Sequence, residues 1–92
     1  MNSIACAKRT GKRIAVSNHA KTHMVIFRIP AVMLCDMIQN PIPCNSRKGL
    51  PHRKSARRIC AMKKNVKYNI ILDPFKIQEE SCWVVANMEP LK

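Results

Sequence analysis

The cleanest hydrophobic pattern in the chain is the strict alternation across residues 66–72. Val66, Tyr68, Ile70 and Leu72 share one side of an extended segment, and Lys67, Asn69, Ile71 and Asp73 share the other, because successive side chains of a strand point to opposite faces. Asp73-Pro74 then predicts a turn. Residues 81–86, which include Cys82-Trp83-Val84-Val85, read as a buried strand. Earlier in the chain, residues 24–29 are apolar and partly β-branched until Pro30 stops them, which predicts another strand. Residues 31–38 are apolar behind Pro30 and fit a helix or a strand equally well.

Residues 40–50 carry Pro41, Pro43, Asn45, Ser46 and Gly49, the composition of a loop. Pro51 suits the first turn of a helix running to about residue 65. On that helix Arg53, Lys54, Arg57, Arg58 and Lys64 fall within an arc of about 140°, with Ala56, Ile59, Met62 and Val66 opposite and Lys63 and Lys67 intruding toward that apolar side. The expected class is α+β: a small, marginally stable single domain with a basic helix and a few short strands, close to the border of disorder. Residues 1–23 read as a basic, flexible N-terminal segment, and residues 24–92 as the α+β region.

Composition explains why that border is near. Leu, Ile, Val and Phe total 22 of 92 residues, just above the roughly 20% below which a highly charged chain stays unfolded. The large aromatics are Phe27, Tyr68, Phe75 and Trp83 alone, so a core must draw mainly on Ile, Val and Met. Charge is distributed unevenly. Residues 1–72 hold 15 Lys and Arg against Asp36, while residues 73–92 hold Lys76 and Lys92 against Asp73, Glu79, Glu80 and Glu89.

Several classes of function are disfavoured. No stretch approaches the roughly 20 apolar residues of a membrane-spanning helix, and no apolar run near the N-terminus suits a secretory signal. Five cysteines at 6, 35, 44, 60 and 82, odd in number and without a CxxC pair, predict free thiols of a reducing compartment rather than a disulfide framework. With Gly11 and Gly49 the only glycines, neither a phosphate-cradling loop nor a nucleophile elbow can be written. The expectation is a protein that is not an enzyme and uses no cofactor.

The strongest feature is residues 47–67, which hold Arg47, Lys48, Arg53, Lys54, Arg57, Arg58, Lys63, Lys64 and Lys67 with no acid among them. Such a run attracts phosphates, because each neutralised phosphate releases condensed counterions. It lacks the stacking aromatics and positioned amides that read bases. The sequence therefore predicts a non-enzymatic basic microprotein that binds nucleic acid or another polyanion without sequence choice, in the nucleus or cytoplasm. The same clusters resemble a nuclear localisation signal, which makes an import receptor a further partner.

Other readings stand beside this one. Lys8, Arg9, Lys12 and Arg13 share one side of a helical wheel with no acid before Asp36, the pattern of a mitochondrial presequence. Low glycine, frequent Cys and Met and the absence of repeats also suit a young chain with no evolved activity. Cys6, His19 and His23 are spaced like the last three ligands of a C2H2 zinc finger, which they resemble, but Met1, Asn2 and Ser3 stand where the first cysteine belongs. No metal site is assigned on that basis.

Overall fold

A computed structural model describes residues 2–3, 13–45, 49–51 and 53–91. In chain order the elements are β1 (Asn2–Ser3), β2 (Arg13–Val16), α1 (Asn18–Ile26), α2 (Ala31–Gln39), β3 (Arg57–Lys63), β4 (Val66–Ile77) and β5 (Glu80–Pro90). The strands form one sheet in the order β1-β2-β5-β4-β3, in which β1 is a two-residue edge piece. β2 runs parallel to β5, and the remaining neighbours are antiparallel. The class is α+β, with two helices covering a mostly antiparallel sheet.

One face of the sheet makes the core. Register sets Ile14 beside Trp83, Val16 and Leu72 beside Val85, Ile70 between Met88 and Ile59, and Tyr68 beside Ala61. All of these are buried, and Ala20, Leu34, Met37 and Ile38 from the helices close over them. Truncating the fully buried Ile70 or Leu72 to Ala would cost about 2–5 kcal/mol. The alternation expected from residue 66 onward is borne out, with Tyr68, Ile70 and Leu72 inside.

Helix α1 begins where Ser17 accepts a hydrogen bond from the Ala20 amide at 3.1 Å, satisfying one of the donors that a helix start leaves open. The same hydroxyl donates to the Ala86 carbonyl at 3.2 Å, tying the start of α1 to β5. Further along, His23 Nδ1 donates to the Met88 carbonyl at 2.6 Å. The Phe27 ring then meets Tyr68 edge-on at 6.0 Å. Helix α2 starts behind Pro30 and buries Leu34, Cys35, Met37 and Ile38, spaced to line one helical face.

Four expectations are corrected. Residues 24–29 are not a strand: Met24, Val25 and Ile26 end α1, and Phe27-Arg28 turn the chain. The Ser17 cap starts a helix that carries through a run whose β-branched composition alone suggested a strand. Among the described residues of 51–65 there is no helix. Residues 53–55 make a turn, and β3 follows, pairing over its whole length with β4 from Arg57 beside Leu72 to Lys63 beside Val66. A helix there would have left the outer side of β4 unpaired, and backbone pairing plus burial of Ile59, Cys60 and Ala61 outweighs helix propensity.

Asp73-Pro74 is not a turn either, since both residues lie inside β4. Pro74 falls beyond the last pairing of β3, so its missing N–H interrupts nothing on that side. The fourth correction concerns the cysteines. Cys44 and Cys60 form a disulfide with their Cα atoms 5.4 Å apart, and Cys35 is also disulfide-bonded, leaving Cys82 as a buried thiol. The Ile42 amide donates to the Cys60 carbonyl at 2.8 Å, and this bridge carries Cys44 within reach of β3.

The boundary expected at residue 23 falls inside α1. Residues 14–16 of the expected flexible segment are buried in β2. Among the described residues no helix is long and apolar enough to cross a membrane.

Candidate polyanion interface

The nine cations picked out from the sequence do not form one face. Arg47 and Lys48 lie outside the described residues. Arg53 and Lys54 sit exposed in the turn before β3, which the Ala56 amide closes on the Arg53 carbonyl at 3.2 Å. Arg57 is exposed at the start of β3, and Arg58 is half-buried, its Nε donating to Asn69 Oδ1 at 2.6 Å. At the far end of β3, Lys63 Nζ donates to the carbonyls of Phe27 and Arg28 at 3.1 and 2.9 Å. It thereby places a positive charge at the C-terminal end of α1, where the helix dipole favours one. Lys64 is exposed in the β3–β4 turn, and Lys67 is half-buried opposite Met62.

The result is two groups, at the start and the end of β3, about 20 Å apart by strand rise. Strand β3 is an outer strand of the sheet, so the cations follow an edge instead of a helix. Two of them, Arg58 and Lys63, also hold the fold together. Arg53, Lys54, Arg57 and Lys64 are exposed. Arg57 and Arg58 belong to a paired strand, so an import receptor that reads a free extended peptide would meet them only if β3 left β4.

A cavity of about 270 Å³ lies beside the first group, on the sheet face away from the helices. The segment around Gly49 covers it. Asn69, only 1% exposed, donates from Nδ2 to the Gly49 carbonyl at 2.8 Å while accepting from Arg58. Gly49 has φ +81°, and a Cβ there would overlap the Asn69 carboxamide, so this position requires glycine twice over.

A β-bulge shapes the cavity wall. Ile71 lies opposite Asn87 but Leu72 lies opposite Val85, leaving Ala86 as the extra residue. Because of it Val85 and Met88 both face the core, while Ala86, Asn87 and Glu89 line the cavity. Asp73 lines it too, and its Oδ1 is sealed from solvent with no hydrogen-bond donor among the described residues.

Sequence reasoning missed this cavity. Asn69 and Asp73 sit on the polar side of the alternating segment, which reads as solvent-facing, and nothing local announces that Gly49, Leu50, Pro51, Arg53 and Ala56 fold across it. For the zinc-finger-like spacing, the His19 and His23 rings do lie 4.4 Å apart, tilted by 51°, but His23 Nδ1 is committed to the Met88 carbonyl, and Cys6 lies outside the described residues. Among the described residues no three His, Cys, Asp or Glu side chains cluster to hold a metal. Comparison with known protein families, curated proteins and solved structures finds no match to the chain.

Proposed function

We propose that the protein binds nucleic acid or another extended polyanion, without catalysis, through the exposed cations at the two ends of β3. The observation that supports this reading is the exposure of Arg53, Lys54 and Arg57 at the start of β3 and of Lys64 in the turn after it, with no acid in the sequence between Asp36 and Asp73. About four phosphates on a single strand would give a log–log salt slope of about −3. No exposed aromatic stands among these cations to stack on a base, so binding is indifferent to sequence.

The test is fluorescence anisotropy with a labelled 20-nucleotide RNA and a DNA of the same sequence across a salt series. Substituting Arg53, Lys54, Arg57 and Lys64 with Gln leaves the Arg58–Asn69 and Lys63–carbonyl contacts intact. That variant should lose affinity for both nucleic acids and flatten the salt slope towards zero. Binding with an unchanged slope would overturn the reading.

A further inference from the structure

We propose that the end of the molecule formed by the C-terminal turn of α1 and the β3–β4 turn docks on an anionic bilayer surface. This goes beyond polyanion binding, because it assigns work to apolar side chains that phosphates cannot use.

The two elements meet at one end. Helix α1 runs along β5 from Ser17, bonded at Ala86, through His23, bonded at Met88, to Phe27, packed on Tyr68 two residues from the start of β4. Lys63 Nζ completes the junction on the Phe27 and Arg28 carbonyls. On the helix side of this junction Val25 is 75% exposed, Ile26 61% and Val66 40%, while Met62, 51% exposed, pairs with Lys67 on the other face of the sheet. Val25, Ile26 and Val66 are three of the seven large hydrophobic side chains exposed among the described residues. Lys21 and Val25 lie one helical turn apart on α1, and with Met24, Arg28, Ile29 and Pro30 they line a shallow apolar cavity of about 460 Å³.

Cations flank these apolar groups: Lys21 and Arg28 on and after α1, Lys63 on the carbonyls that end it, and Lys64 in the β3–β4 turn. The nearest carboxylate by strand register is Glu89, opposite Asn69 on the cavity side of the sheet, while Asp73, Glu79 and Glu80 lie toward the other end of β4. Exposed aliphatic groups ringed by lysine and arginine match the headgroup region of an anionic leaflet, where apolar tips enter the acyl boundary and cations stay at the phosphates. A nucleic acid would leave the aliphatic groups in water. A protein partner would have to supply acids around an apolar centre, and it is an outcome of the test below.

The experiment is co-sedimentation of the full chain with vesicles of phosphatidylcholine alone and of phosphatidylcholine with 30% phosphatidylserine, at physiological salt. The chain should pellet with the anionic vesicles and not with the neutral ones. Val25→Ser, Ile26→Ser and Val66→Thr combined should weaken that binding at least about tenfold by removing apolar burial. RNA binding should be unaffected, which separates this proposal from the polyanion reading. Phe75→Ser, at an exposed apolar position near the other end of β4, should change nothing.

Tryptophan insertion removes any dependence on variant stability. Val25→Trp should be quenched by brominated lipid far more than Phe75→Trp. Equal binding to both vesicle types, no loss in the triple variant, or equal quenching at the two positions would overturn the proposal. So would failure to bind any vesicle, and that result would turn the surface toward an acidic protein partner.

Discussion

The two hairpins that share β4 turn in the same way and carry opposite charge. Lys64-Asn65 joins β3 to β4, and Gln78-Glu79 joins β4 to β5. All four residues have positive φ, between 47° and 66°, the two-residue turn whose twist matches that of the flanking strands. Around the first turn lie Lys63, Lys64 and Lys67, and around the second lie Asp73, Lys76, Glu79 and Glu80. Strand β4 holds these ends apart over about 36 Å at about 3.3 Å per residue, close to the 37 Å length of the whole molecule. Turn geometry demands nothing of these charges, so their separation is not a by-product of making the turns. What the backbone does demand is Gly, Asn or Asp, and only Asn65 meets it.

The hairpins differ in a second way. The first is held from outside by the Arg58–Asn69–Gly49 hydrogen bonds and by the Cys44–Cys60 disulfide, while the second has Arg13 beside Glu80 at 3.5 Å, an exposed ion pair. The largest expected effect comes from breaking the first anchor. Gly49→Ala combines left-handed backbone strain with displacement of a buried, hydrogen-bonded Asn69, and should lower unfolding free energy by about 2–4 kcal/mol. Urea denaturation checks this, and a change below about 1 kcal/mol would show that the cover over the cavity contributes little.

A smaller effect, of opposite sign, is expected at the second turn. Replacing Glu79 with Gly removes a side chain from a φ of 65° and should stabilise the protein by about 0.5–1 kcal/mol after the entropic cost of glycine. The same change at Asn65 should gain less, because asparagine already tolerates that conformation. Thermal melts of the two variants side by side would sharpen the comparison, and equal gains would break it. The smallest effect belongs to Glu80→Gln. The Arg13–Glu80 pair is about half exposed on both sides, so its loss should shift stability by less than about 0.5 kcal/mol, as measured by the same melts.

Local pattern was enough where a single element decides its own conformation. The alternation from Val66 to Leu72 forces a strand because its apolar set can be buried only on one face. The break at Pro30 and the apolar stretch after it mark α2, although strand and helix stayed level there until packing chose. Residues 53–65 misled for the opposite reason. Their cations follow a helical arc, but the same residues alternate well enough to pair with β4, and pairing satisfies the outer backbone groups of β4 that a helix would have left to the solvent. The cationic positions were readable from composition, but their division into two groups depended on the change from a helix to a strand.

What the sequence determined by itself is the α+β class, the alternating strand and the excess of positive charge over residues 1–72. Each follows from side-chain chemistry counted along the chain. Only the tertiary structure decided that β3 borders the sheet and that Asn69 and Asp73 look into a covered cavity. It alone joined Cys44 to Cys60 and brought the end of α1 against the β3–β4 turn. Those facts depend on contacts between residues 16 to 36 positions apart, such as Asn69 with Gly49 and Lys63 with Phe27. Such contacts leave no periodic trace in the chain, because their energy comes from surfaces that meet only after the strands have paired.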